Sequence, residues 1–187
     1  MPNEPLRDGG DNLALVLNEM EHNGSISHVS DYLNRLSEDF RKVHVRIEGN
    51  AVRVYVQERH LSEATPSNRL SDGTLKFLCL MAVLLNPRPP LLICIEEPEL
   101  GLHPDAVQLV VEALMEAAGR MQLIVTTHSE SLVDALSARP EAVVVCERDF
   151  DHSTRFCRLG KKQLDVWLER YSLGELWRKG EIGGNRW

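Results

Sequence analysis

Two short apolar runs, each breaking off into charge or hydroxyl, constrain this chain more than any other feature. Leu91-Leu92-Ile93-Cys94-Ile95 runs straight into Glu96-Glu97, and Leu123-Ile124-Val125 runs into Thr126-Thr127-His128. Continuous apolar runs of strand length suit strands buried on both faces, and such strands belong to parallel sheets covered by helices. Between them, Pro104 suits the first turn of an amphipathic helix that reaches about Gly119. Strand, helix, strand in that order predicts a right-handed crossover that brings both strand C-termini to one edge. The expected fold class is α/β, with a mainly parallel sheet flanked by helices.

The remaining segments fit around that unit. Residues 1–10 are polar with Gly and Pro and read as a flexible leader. Leu13, Val16, Leu17 and Met20 recur at helical spacing, as do Ile26, Val29, Leu33 and Leu36. Val43, Val45 and Ile47 then alternate, as do Val52, Val54 and Val56, with Gly49-Asn50 between them as a hairpin turn. Residues 58–70 read as a surface loop, and 73–86 as a helix apolar nearly all round and therefore buried. A helix near 130–138, strands over 142–147 and 154–159, and one or two short helices with a Gly-rich tail complete the chain. The organisation expected is a leader over 1–10, a helical pair and β-hairpin over 11–69, and an α/β lobe over 70–187. Trp167 and Trp177 read as packing residues.

Composition narrows the function. The 187 residues carry 21 Lys and Arg against 28 Asp and Glu, a net charge of −7, with no run of basic residues. That argues against gripping nucleic acid through bulk basicity. No apolar stretch approaches a membrane span, and the first residues lack a signal-peptide pattern. Cys79, Cys94, Cys146 and Cys157 form no CxxC pair, and three of them lie in apolar runs; they read as buried, reduced thiols of a cytoplasmic protein.

Three places carry chemistry. Paired carboxylates at the end of a buried parallel strand lie where open α/β sheets bind ligands, and they repel one another unless a cation or proton intervenes. Glu96 and Glu97 hold that position. His128 ends the next strand and is placed to hydrogen-bond a phosphate oxygen or an attacking water. Ser71 caps the buried helix, with Asp72 and Gly73 in its first turn, and a helix N-terminus favours phosphate.

Taken in order and spacing, these segments resemble the C-terminal lobe of an ABC-type ATPase head of the RecF, SMC and OLD-like kind. Leu70-Ser71-Asp72-Gly73-Thr74 resembles the signature motif, LLICIEEP the Walker B strand, Leu100-Gly101-Leu102-His103-Pro104 the D-loop and TTHS the H-loop. The EEPELGLHP wording and the GELW…GGNRW ending are similar to RecF-like AAA-type ATPases. The resemblance implies ATP and Mg²⁺ as cofactors. It implies Glu97 as catalytic base, Glu96 as the carboxylate supporting Mg²⁺, and His128 as the γ-phosphate contact. Ser71, Asp72 and Gly73 would reach ATP held by an opposite head, and Gly101, Leu102 and His103 would line the head–head interface. Two residues depart from the family pattern: Glu96 stands where Asp is usual, and Asp72 replaces the first signature glycine.

No GxxxxGK[ST] occurs in the sequence. Gly160-Lys161 lacks its glycine framework and reads as a turn. The resemblance therefore implies a C-terminal half that hydrolyses ATP only when completed by an N-terminal P-loop lobe, on the same or a separate chain, within a homodimer of heads. This chain alone is expected to be inactive. DNA maintenance or defence is the implied setting, with DNA a candidate partner and no membrane. In the family's sheet order the P-loop strand lies next to LIVTT, so the expectation is an exposed strand edge there, repaired by dimerisation, strand exchange or AVVVCE. A non-catalytic interaction module derived from such an ATPase is the alternative reading. Asp149 and Asp151 are a weaker candidate for a metal site, and Arg186-Trp187 reads as a docked tail.

Overall fold

The stripe Leu13, Val16, Leu17 and Met20 is buried along one face of α1 (Leu13–His22), as its spacing requires. In the computed structural model, which describes residues 4–148 and 152–184, the chain divides into two compact units between Thr126 and Thr127. Asp149, Asp151, Arg186 and Trp187 lie outside the described residues.

In the first unit, residues 4–12 form a loop fastened by the buried Asn12. Its Oδ1 accepts from the Arg7 N–H at 2.9 Å and its Nδ2 donates to the Pro5 carbonyl at 2.9 Å. Helix α2 (Ile26–Leu36) buries Val29 and Leu33, and Ile26 and Leu36 pack at the margin. Strands β1 (Phe40–Glu48) and β2 (Ala51–Glu58) pair antiparallel from Glu48↔Ala51, so Gly49-Asn50 is the turn, with Gly49 at φ +60°. Inside the expected loop over 58–70, β3 (Thr65–Pro66) pairs with β2. The outer edge of β1 is covered: the Val43 N–H donates to Ser30 Oγ at 3.1 Å and the Val45 N–H to Glu21 Oε2 at 3.1 Å. Those two contacts occupy donors through which an edge strand can recruit other chains.

Helix α3 (Asp72–Leu84) buries Phe77, Leu78, Leu80, Met81, Ala82 and Leu84 and lies at the centre of a single core. That core joins α1, α2 and the hairpin to α3 and α4 (Pro104–Ala117), so the helical pair and hairpin share their interior with the segment that follows residue 70. Strands β4 (Leu92–Glu96) and β5 (Gln122–Thr126) are parallel, in register from Leu92↔Gln122 to Glu96↔Thr126.

Here one expectation fails. Ile93, Ile95, Leu123 and Val125 pack on the core, but Leu92, Cys94 and Ile124 point the other way and are exposed, Leu92 by 47% and Ile124 by 51%. The pair is covered on one face only. No third strand joins it among the described residues. The thiols expected to be buried follow the same alternation: Cys94, Cys146 and Cys157 are free but exposed, and Cys79 is half-buried.

The second unit contains α5 (Glu130–Ala135), β6 (Val144–Arg148), β7 (Thr154–Arg158), α6 (Lys161–Leu168) and α7 (Leu173–Arg178). AVVVCE does not extend the parallel pair; β6 pairs antiparallel with β7 in a separate sheet. Val133, Val145, Leu159 and Leu173 form its core, with Trp177 packed against them. Trp167, expected to pack, is 46% exposed. Helix α7 begins with a reciprocal capping box between Ser172 and Glu175, and it approaches α5 closely at Gly174. A Cβ at Gly174 would stand 2.8 Å from the Glu130 carbonyl, so only glycine permits that approach.

Candidate functional site

The parallel register decides where the acidic residues sit. Glu96 lies opposite Thr126, and the ladder continues one residue further, with the Glu97 N–H donating to the Thr126 carbonyl at 2.9 Å. Glu97 is therefore held by backbone at the strand's end, half-buried, while Glu96 is exposed. Its φ is +43°, a left-handed conformation that non-glycine residues adopt at a cost of about 1–3 kcal/mol and that concentrates at functional sites.

Beyond Glu97 the chain turns sharply around the buried Pro98. The Leu100 N–H donates to the Glu97 carbonyl at 3.1 Å and the Leu102 N–H to the Glu99 carbonyl at 3.0 Å. Gly101, at φ +73°, supplies the left-handed step. His103 ends the turn as the N-cap of α4, its Nδ1 accepting from the Asp105 N–H at 3.3 Å, with Pro104 at the first helical position as its fixed φ favours.

The N-terminus of α3 lies against this turn. Ser71 is its N-cap, Oγ accepting from the Thr74 N–H at 3.1 Å. A Cβ on Gly73 would stand 2.9 Å from the Gly101 carbonyl oxygen, so the missing side chain of Gly73 lets the two backbones touch. Lys76, one helical turn along, donates from Nζ to the Leu100 carbonyl at 2.7 Å and the Glu97 carbonyl at 3.3 Å. Lys76 thus clasps the turn to α3. The sequence reading passed over it; its signal was a lone cation in an otherwise apolar helix.

Ser71, Asp72, Gly73, Glu96, Glu97, Gly101, Leu102 and His103 are therefore gathered at one edge of the first unit, formed by the ends of β4 and β5 and the starts of α3 and α4. His128 belongs to the second unit, where it is exposed. Thr127 Oγ1 accepts from the Ser129 N–H at 3.0 Å just beyond it, and Ser129 Oγ caps α5.

The start of α3 suits anion recognition in the general way of a helix N-terminus, whose first N–H groups lack intrahelical acceptors and whose dipole favours negative charge, although the Thr74 N–H is already taken by Ser71 Oγ. Asp72 already takes part of that favourable position. For a cation, the edge offers the two carboxylates of Glu96 and Glu97. Among the described residues no three His, Cys, Asp or Glu side chains converge on one point. That donor set fits Mg²⁺, which keeps several waters and takes one or two carboxylates plus phosphate oxygens.

Comparison with known proteins bears on family and fold. Residues 13–134 match the family described as "AAA domain, putative AbiEii toxin, Type IV TA system". The fold is similar to that of SMC head domains. One is a chain from a study of ATP-driven dimerization and DNA-stimulated activation of SMC ATPases, with a TM-score of 0.59 and 16% identity over 81% of this chain and 93% of that one. Another is the Smc head with coiled coil and joint from Pyrococcus yayanosii, with a TM-score of 0.59 and 14% identity over 81% of this chain and 29% of that one. A third is the Smc head of Pyrococcus furiosus bound to the C-terminal domain of ScpA, with a TM-score of 0.60 and 16% identity over 80% of this chain and 38% of that one. The chain thus spans about a third of the length of the two Pyrococcus heads. At such identities the likeness is one of fold.

Proposed function

The chain belongs to the AAA domain family of AbiEii-like proteins, and from that premise we propose that it is the C-terminal lobe of an ATPase head, completed by a P-loop lobe. The observation that carries the reading is the single edge on which Glu97, held to Thr126 by its backbone, meets a signature-like Ser71-Asp72-Gly73 pressed against Gly101. In this reading Glu97 orients and accepts a proton from the attacking water, and His128 contacts the terminal phosphate. Glu96 supports the Mg²⁺ that would neutralise phosphate charge when bound. Ser71 and Gly73 reach across to nucleotide on an opposing head, with Gly101, Leu102 and His103 at the interface. Lys76 positions the turn without touching nucleotide.

The sequence supplies no GxxxxGK[ST], so the cradle for the α- and β-phosphates must come from the other lobe, on the same or a separate chain. The uncovered face of β4 and β5, with Leu92, Cys94 and Ile124 exposed, supports that need. Cytoplasmic DNA maintenance or defence, in a homodimer of heads with DNA as a partner, is the proposed setting. No helix among the described residues is long and apolar enough to cross a membrane.

A second reading, a non-catalytic interaction module, draws on Asp72, whose negative charge stands where a triphosphate would approach. Titrating ATP into the chain alone and into its mixture with the cognate P-loop lobe separates the two. The ATPase reading expects weak binding alone and Mg²⁺-dependent binding in the mixture. Tight binding by the chain alone contradicts the missing-lobe account, and a lobe complex that ignores ATP favours the module.

A further inference from the structure

The strands β1 and β2 turn Val43, Val45, Val54 and Val56 toward the core, which leaves Lys42, His44 and Arg46 of one strand beside Arg53 and Tyr55 of the other on the outer face. Residues 40–60 hold five Lys and Arg against two Glu, a net of +3 within a chain of −7. The sequence hides this patch because the cations are interleaved with valines; only the two-residue period of a strand gathers them.

Its arrangement is costly for folding alone. Arg46 and Arg53 are direct cross-strand partners, and like charges directly opposite are destabilising. Among the carboxylates here, Glu48 pairs with Arg53 at 3.3 Å and accepts a hydrogen bond from the Tyr55 hydroxyl, and Glu21 lies at the β1 edge, accepting from the Val45 N–H at 3.1 Å. Arg46 lies over the Tyr55 ring at 4.7 Å, and His44 stacks on the same residue at 5.8 Å. Tyr55 is thus engaged within the protein, while Lys42, Arg46 and Arg53 remain exposed. Among the described residues the face offers forked and point cations for phosphate but no open aromatic platform for unstacked bases.

From this juxtaposition we infer that the outer face of the β1–β2 hairpin binds the phosphate backbone of duplex DNA. Lys42, Arg46 and Arg53 contact phosphates and lend no base specificity. A two-stranded ribbon is of a width that a B-form major groove admits. The inference gives a surface to the DNA partner of the reading above, and it is tested without nucleotide or second lobe, so its failure leaves the ATPase reading standing.

The test is fluorescence anisotropy of a labelled 20-base-pair duplex with the full chain between 50 and 200 mM salt. Three phosphate contacts at about −0.9 each give a log–log slope of about −2.7, a loss of about 40-fold across that range. The Arg46→Gln/Arg53→Gln variant retains a slope of about −0.9 and loses only about fourfold, Lys42→Gln gives about −1.8, and Lys162→Gln on α6 matches the parent. Circular dichroism confirms that each variant is folded. The inference is overturned by absence of duplex binding at 50 mM salt, by unchanged binding in the double variant, or by tighter binding to phosphatidylserine vesicles than to DNA.

Discussion

Replacing Gly73 with alanine is the substitution whose outcome the geometry constrains most closely. An added Cβ would stand 2.9 Å from the Gly101 carbonyl oxygen, about half an ångström inside an ordinary contact, and both atoms belong to backbone or its immediate branch. Neither can rotate away, so α3 and the Glu97–His103 turn must separate. Overpacking of this kind costs about 1–3 kcal/mol. Against it stands the helix propensity of alanine over glycine, about 1 kcal/mol in a helix interior and less in the first turn. The contact wins, by about 1–2 kcal/mol net. For a chain of this size that lowers the melting temperature by about 2–8 °C. Hydrogen exchange of the Leu100 and Leu102 amides should rise in the same variant, because their hydrogen bonds close the displaced turn. Gly119→Ala, whose nearest neighbour is the Glu116 carbonyl at 3.4 Å, is the control and should be close to neutral. A Gly73→Ala chain that melts higher than the parent, with unchanged exchange at the turn, would refute the claim that the signature-like segment is pressed against Gly101.

Other consequences can be checked directly. Glu97→Gln should leave the fold intact and reduce ATP hydrolysis by the completed head about 10²–10⁴-fold, the usual contribution of a positioned general base, measured by phosphate release. Cys94, exposed on the uncovered sheet face, should react with maleimide in the isolated chain and become protected when the P-loop lobe is added; equal labelling in both states would place the lobe elsewhere. Burial pushes the His44 imidazole below its ordinary value, assisted by Arg46 and Lys42, and among the described residues its Nδ1 has no hydrogen-bond partner. A depressed histidine favours the neutral form in the folded state, so its contribution is present above about pH 6.5 and is lost as pH falls through the lower, folded value. His44→Gln should flatten the acid side of the stability profile in urea titrations, whereas an unchanged profile would assign that loss to other groups.

Much of this was legible because local periodicity and tertiary burial agree. The α1 stripe, the hairpin with its Gly49-Asn50 turn and the Pro104 start of α4 follow from spacing and backbone chemistry that no neighbour overrides. Glu96 and Glu97 could be placed at a strand end from the apolar run alone. What eluded the sequence depended on what lies opposite an element. A wholly apolar strand says that both faces want cover, and LLICI finds it on one face only, which is why Leu92 and Cys94 are exposed rather than buried. AVVVCE, expected as one way of covering the LIVTT edge, pairs antiparallel with β7 instead, and a short apolar run carries no direction from which to foresee that. Lys76 stands out only as a lone cation in an apolar helix, and that alone does not say that two carbonyls wait for it on a turn more than twenty residues away. The basic hairpin face was missed because net charge averages over the chain whereas a strand sorts its residues by parity.

The central claim is that this chain supplies the base-bearing half of an ATPase head and needs a P-loop lobe to act. Steady-state ATP hydrolysis by the chain, by the cognate P-loop lobe and by their mixture tests it most directly. The account predicts activity in the mixture alone, dependent on Mg²⁺ and lost with Glu97→Gln. A folded, associated mixture that hydrolyses no ATP, or activity that survives Glu97→Gln, would contradict it.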